Sequence, residues 1–286
     1  MYLILLLTYK KNLQKVFGNK NVWLEKTGLP YLILCGDETI NEDYSYDNEK
    51  KILMVKCPDT YEYITLKLAC AYKFIITSKE MMHIKGMFKV DDDVFVNVSK
   101  LNEFIKENEK IQDKNDYIGR VYKIGSVLCN HHHKKVKNIN LNDIVFRLKE
   151  CYICFGPMYY LSRRALCEII NKFSFQNFNI YSTQLFEDYT FGNILLKTGI
   201  LPIKSKMFTD DVREFINSGF VAFHDANHVY DVSRLPHLSR TETVDTVVDT
   251  VETVIIETAE DMITIDTIKQ IEYDNMFNKN IFSLTI

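Results

Sequence analysis

Apolar runs of strand length alternate with amphipathic stretches from the start of the chain. Leu3 to Leu7 is continuously apolar and predicts a buried strand over residues 2–8; the mixed stretch from Tyr9 to Trp23, carrying Leu13, Val16 and Phe17, predicts a helix after it. Gly28 and Pro30 punctuate the chain before a second apolar run, Tyr31-Leu32-Ile33-Leu34-Cys35, which closes at Gly36-Asp37. Strand, helix, strand in that order is a βαβ unit. The polar stretch from Asn41 to Lys51 reads as a loop, and Ile52-Leu53-Met54-Val55 as a short third strand. From Tyr63 the positions Leu66, Ala69, Cys70, Lys73 and Phe74 fit a helix that runs toward Ser78 and is long enough to cover a sheet face.

That helix delivers the chain to Phe88-Lys89-Val90-Asp91-Asp92-Asp93-Val94-Phe95-Val96-Asn97. Three acids between apolar residues describe a buried strand with carboxylates at its carboxyl edge, where open α/β sheets place ligands. Side chains alternate along an extended chain, so Asp91 and Asp93 are expected on one side and Asp92 on the other. Carboxylates that converge at a partly buried edge repel one another unless a cation lies between them. A divalent ion on oxygen ligands, Mg²⁺ or Mn²⁺, meets that need and would in turn neutralise a diphosphate. An acidic, solvated turn between two strands is the other reading of the same residues.

Further along, Leu101 to Asn108 reads as a surface helix, Tyr117 to Tyr122 as a strand, and Arg163 to Lys172 as a helix with Ser162 as its N-cap. Asp188 heads another helix, in which Phe191, Ile194 and Leu195 face the core and Gly199 with Pro202 makes the stop. A carboxylate at a helix start is explained as a cap favoured by the helix dipole, and also serves as a site residue. His224 follows the apolar run Val221-Ala222-Phe223; it suits a metal at a sheet edge or a satisfied core position. His131-His132-His133 reads as an exposed loop, because adjacent residues rarely converge on one ion. Cys151 and Cys154 form one CxxC, with no second pair to complete a tetrahedral zinc site.

Composition narrows the picture. A length of 286 residues and a hydrophobic share of 47% allow one large α/β domain with an appendage. A net charge of −3 gives no electrostatic reason to expect nucleic acid. Seven cysteines without a secretory signal imply reduced thiols, and Leu3 to Leu7 is far short of the roughly 20 apolar residues of a spanning helix, so the expectation is a soluble, cytoplasmic protein. Few Gly and Pro amid abundant Lys, Asn, Ile and Tyr suit an AT-rich genome such as that of a large DNA virus or a protist. Beyond Arg240 the character changes. Residues 241–261 are built chiefly from Thr, Val, Asp and Glu in near-repeats, without Lys or Arg, so residues 241–286 read as an acidic, Thr/Val-rich appendage to a domain over residues 1–240.

Laid out in order, the motifs resemble those of the inverting β-1,3-galactosyltransferase and β-1,3-N-acetylglucosaminyltransferase family that includes Fringe. Asp59-Thr60-Tyr61-Glu62-Tyr63-Ile64-Thr65-Leu66-Lys67 is similar to its D-x-Y-x-N-L-T-L-K segment and Lys89 to Asn97 to its K-x-D-D-D-x-F-V-N segment. Cys154 to Ser162 resembles the cysteine, glycine and Y-x-x-S block, Glu187-Asp188 with Gly192 the E-D-V-x-x-G motif, and Phe223-His224 the late F-H pair. The resemblance covers residues 3–238. It implies an α/β fold, a single GT-A-like (Rossmann-like) nucleotide-sugar transferase domain with a mainly parallel central sheet. It also implies a UDP-sugar donor, a glycan or glycoprotein acceptor, and Mn²⁺ or Mg²⁺. Carried over by position, Asp91, Asp92, Asp93 and Lys89 bind the cofactor, Asp93, Asp91 and His224 hold the metal with Asp93 principal, and Asp188 is the general base. Phe155 before Gly156 and Pro157-Met158 after it depart from the small residues of the family block, which bears on the choice of sugar, and the membrane anchor of the Golgi enzymes is missing. A metal-dependent phosphoesterase and a non-catalytic carbohydrate-binding relative are the rival readings of the same features.

Overall fold

In a computed structural model the chain is described over residues 1–19, 23–110, 115–124, 136, 146, 148–210, 215 and 218–224. Two compact units divide it, Met1–Ser233 and Arg234–Ile286, and the acidic tail and the run His131 to His133, read from sequence as a loop, lie outside the described residues.

The strands are β1 (Tyr2–Leu7), β2 (Tyr31–Gly36), β3 (Tyr44–Asp47), β4 (Ile52–Val55), β5 (Gly86–Asp91), β6 (Val94–Val96), β7 (Tyr117–Ile124), β8 (Cys151–Ser162), β9 (Ile203–Lys204), β10 (Phe208–Thr209) and β11 (Ala222–His224). The helices are α1 (Leu13–Asn19), α2 (Ile64–Thr77), α3 (Val98–Lys110), α4 (Arg163–Lys172) and α5 (Glu187–Lys197). Among the described residues the main sheet has the order β3-β4-β2-β1-β5-β8-β7-β9, and a smaller one the order β10-β11-β6. β4, β2, β1 and β5 run parallel, whereas β3 and β8 run against their neighbours. This is the α/β, mainly parallel sheet expected from the motifs.

β1, β2 and β5 are buried almost throughout, which explains their continuous rather than alternating apolar character. From β1 the chain turns to β2 and β4 on one side, while β5 flanks β1 on the other, so the topological switch point falls at the carboxyl ends of β1 and β5. α2 buries Leu68, Ala71, Tyr72 and Ile75 at helical spacing, joined by Ala69 and Phe74; Leu66, Cys70 and Lys73 of the expected helix lie outside this fully buried set. Each such fully buried large side chain contributes on the order of 2 kcal/mol.

Two elements differ from the sequence reading. Residues 44–47 are not loop but the antiparallel edge strand β3, because Tyr44 and Tyr46 pack on Phe74 of α2 with ring centroids 4.8 Å and 5.6 Å away. The stretch after Tyr9 becomes a 3-10 turn over Lys10–Asn12 before the short helix α1. Ser162 does cap α4, accepting from Ala165 N at 3.1 Å, and α5 stops at Gly199, whose φ of +81° suits glycine.

β8 runs on past the carboxyl end of β5. Its register pairs Val90 with Met158, while Cys151 to Cys154 pair with Ile124 to Val121 of β7, so the β7–β8 pair overhangs the switch point. α5 lies close against this overhang. A Cβ at Gly192 would stand 2.4 Å from Cγ2 of Ile153, a buried β-branched side chain.

Two glycine substitutions should therefore differ in sign. Gly18→Ala in α1, where nothing lies within 4 Å of the added carbon, is expected to raise stability by about 0.5–1 kcal/mol. Gly192→Ala should lower it, because an overpacking cost of about 1–3 kcal/mol exceeds the helix propensity gained. Urea midpoints at unchanged m-value measure both, and a stabilised Gly192→Ala would contradict the packing described.

Candidate active site

The site is built on one buried lysine. Lys89 and Asp91 are two apart on β5 and so project to the same side of the sheet. Lys89 is 1% exposed. Its Nζ lies 2.6 Å from Asp91 Oδ1, 3.4 Å from Glu187 Oε1 and 2.5 Å from the carbonyl oxygen of Gly156. The contact with Asp91 Oδ1 is an ion pair. A buried ammonium needs such partners, and here it draws together the end of β5, the strand β8 and the first turn of α5.

Glu187 and Asp188 open α5. Phe186 holds the N-cap position without a side-chain bond, so Asp188 is not the cap that the sequence suggested but the second helical residue. Its Oδ1 accepts from Tyr189 N at 2.8 Å, and its Oδ2 from the hydroxyl of Tyr122 on β7 at 2.7 Å. Glu187 Oε2 accepts from Tyr159 at 2.9 Å, and the Tyr159 hydroxyl meets that of Tyr72 at 2.9 Å. Gly156 makes this crowding feasible. A Cβ there would come within 3.1 Å of Glu187 Oε1 and 3.7 Å of Asp188 Oδ2.

Burial dominates the titration of this cluster. It lifts Glu187 to about 7 against the pull of Lys89, with Asp188 and Asp91 adding to the rise. It lifts Asp91 to about 6, opposed by Lys89 and reinforced by Asp93 and Asp92. Asp188 is also raised by burial, with the Tyr122 hydroxyl the largest influence in the other direction. For Lys89 burial acts downward, yet Asp91 and Glu187 outweigh it and hold the ammonium at about 12.

The three acids part company at the strand end. β5 stops at Asp91 and the chain turns through Asp92 and Asp93 before β6, so strict alternation does not carry through the run. Asp92 Oδ2 accepts from Thr8 Oγ1 at 2.5 Å and Asn12 Nδ2 at 3.0 Å, tying the triple acid to the end of β1. Asp93 is half-buried with its Oδ1 shielded from solvent. The backbone of His224 in β11 pairs with Val94, next in sequence to Asp93, so the late F-H pair returns to the triple acid through the smaller sheet.

A second charged cluster frames the neighbouring strand ends. Asp59 Oδ1 accepts from Gly36 N at 2.9 Å and Lys67 Nζ at 2.5 Å, and its Oδ2 from Lys10 N at 2.6 Å. Lys67 is wholly buried, with its Nζ 4.4 Å from the Tyr9 ring centroid. The Asp59 to Lys67 motif thus secures the ends of β1 and β2 to α2, and Tyr61 within it lies in the field of Asp188, Asp91 and Glu187.

The structure therefore brings Lys89, Asp91 and Asp188 of the expected site together with Glu187, Tyr122, Tyr159 and Tyr61, which sequence reasoning had not cast in roles. Glu187 was legible as the first letter of the E-D pair; nothing in the sequence singles out Tyr122. Lys89, expected to bind the cofactor, is buried among Asp91, Glu187 and the Gly156 carbonyl. Among the described residues no group of three or more His, Cys, Asp and Glu forms a closed cage, and the CxxC thiols are free. Mg²⁺ and Mn²⁺ at diphosphates take one or two carboxylates and complete their shell with phosphate oxygens and water, which Asp93 at the switch point fits.

A galactosyltransferase family model matches residues 10–206, which takes in β5, both acidic motifs and α5. No curated protein matches the chain at significant similarity. Among solved structures, a glycosyltransferase involved in the glycosylation of the major capsid of PBCV-1 aligns at 10% identity over 79% of this chain and 93% of that one, with a TM-score of 0.39. A197 from STIV aligns at 14% identity over 71% and 81%, with a TM-score of 0.34.

The electrostatics give a signed expectation. Glu187 holds its proton more tightly when folded, so the stability it contributes is present below its ordinary 4.5 and is lost as the pH rises toward 7. Glu187→Gln imitates the protonated form. In thermal unfolding of the ligand-free chain its Tm should match that of the wild type near pH 4 and exceed it progressively up to about pH 7. A Tm difference that stays constant across this range would contradict the assignment.

Proposed function

The chain belongs to the galactosyltransferase family and is a glycosyltransferase; from that premise we propose that it moves a hexose, galactose or N-acetylglucosamine, from a UDP-sugar to a sugar hydroxyl, with inversion and a β-1,3 linkage. The observation that carries the reading is the Lys89 bridge, which sets the triple acid and the Glu187-Asp188 pair at one sheet edge.

The donor side comprises the ends of β1 and β5. Asp93, with His224 as its partner, is assigned to a Mn²⁺ or Mg²⁺ ion. Such an ion, when bound, supplies charge stabilisation to the departing diphosphate. Asp91 is assigned to the ribose, because an ion on it would share a carboxylate already neutralised by Lys89. Asp92 keeps the Thr8 end of β1 in place beneath the nucleotide.

The acceptor side is the mouth between α5 and the β7–β8 overhang. Asp188 takes the proton of the attacking hydroxyl. A buried carboxylate with its pKa raised is a stronger base than one in water, and Tyr122 with Tyr189 N fixes where its oxygens point. Glu187 is less suited to that step, since one of its oxygens faces the Lys89 ammonium, which offsets its charge. One displacement opposite UDP converts an α-linked donor to a β-linked product. The acceptor hydroxyl loses its proton to Asp188, its oxygen forms the new bond to the anomeric carbon, and the bond to UDP breaks with its electrons.

Two substitutions separate the roles. Asp93→Ala is expected to abolish Mn²⁺-dependent UDP binding measured by calorimetry. Asp188→Asn should leave UDP binding unchanged and lower transfer by about 10²–10⁴-fold across a UDP-sugar panel, with a β-anomeric product from the wild type by NMR. Equal loss of binding and transfer in both variants would overturn the division of labour.

A further inference from the structure

Asp188 is gripped at both oxygens, and the two grips differ in kind. Tyr189 N is a neighbour in the chain and comes with the start of the helix. The Tyr122 hydroxyl arrives from the β7–β8 overhang and reaches Oδ2 only if that pair of strands holds its ring at the right depth. Phe155, two residues beyond the Ile153 that pairs with Tyr122, is its diagonal neighbour. Their rings meet edge to face, 5.5 Å apart at 87°. Phe155 is itself set between the Phe208 ring at 5.6 Å and the Arg120 guanidinium at 5.6 Å, and Arg120 pairs with Asp210 at 2.7 Å.

We propose that Tyr122 is a positioning residue for Asp188 and that Phe155 is the wedge that holds the Tyr122 ring in reach of it. The inference rests on the reading of Asp188 as the base. A phenol donating to a carboxylate stabilises the ionised form and fixes the direction of the lone pairs that receive the acceptor's proton. Without that donor Asp188 keeps the buried setting that raises it and loses its main opposing influence. The charged and titratable groups facing it are Glu187 on its own helix, Lys89 of β5, Tyr61 before α2, Tyr117 and Tyr122 of β7, and Cys151 of β8. Phe155 thus bears on proton transfer, where the sequence had suggested a bearing on the choice of sugar.

The test uses the full chain and a pH series. Tyr122→Phe keeps the ring and removes the hydroxyl. It should move the acid limb of kcat upward by about one pH unit, the size expected for one hydrogen bond to a carboxylate, and leave the donor KM within about twofold of wild type. Carboxyl NMR of the ligand-free chain should show the Asp188 midpoint rising by the same amount. Phe155→Leu keeps the hydroxyl and frees the ring, and should lower kcat about three- to tenfold, with Phe155→Tyr restoring it. Should Tyr122→Phe lower kcat equally at every pH, with the NMR midpoint unmoved, the inference is overturned and Tyr122 is only structural. A wild type that binds UDP and transfers no sugar overturns the functional reading, and this inference with it, before any variant is compared.

Discussion

A single ammonium group, buried among three protein oxygens, organises this molecule's chemistry. Lys89 sits where β5 is about to end, and its partners come from three places: Asp91 of its own strand, Glu187 of α5, and the backbone of Gly156 in β8. Without the ammonium, two carboxylates would face each other in a setting that already lifts both of them. With it, the arrangement is tolerated, and Asp188, the base of the proposed reaction, is brought to the same sheet edge as the triple acid. The cation invoked to reconcile converging acids is in part the protein's own. In the proposed reaction the divalent ion is accordingly assigned to Asp93 rather than to the acids that Lys89 already pairs.

The frame around that bridge is equally specific. Asp59 and Lys67 tie the ends of β1 and β2 to α2, and Asp92 ties the end of β1 to the triple acid. These groups have their partners within the protein and hold backbone in place. The proposed reaction draws on a smaller set, comprising Asp93 and Asp188 with Tyr122.

Much of this was legible in the chain. Continuous apolar runs marked β1, β2, β4 and β5, helical spacing marked α2 to α5, and the five ordered motifs pointed to the residues that the fold assembles. The unread parts have physical reasons. β3 is an edge strand whose contribution is two tyrosines on one helix ring, so it carries no apolar run to read. The direction of β8 leaves no trace in its hydrophobicity, since a strand buried on both faces looks alike in either sense. Lys89 was visible as part of a motif, but its burial depends on Glu187 and Gly156 from distant segments. Tyr122 belongs to no motif, and only the overhang of β7 and β8 brings it to Asp188.

The central claim is that Asp91 and Glu187 are coupled through one shared ammonium, and a double-mutant cycle reads that coupling directly. Unfolding free energies of the wild type, Asp91→Asn, Glu187→Gln and the double variant, measured by urea titration at neutral pH, should depart from additivity by about 1 kcal/mol or more, because each carboxylate's contribution depends on the other's claim on Lys89. Additivity within about 0.5 kcal/mol would mean that the two acids act independently and would contradict the account.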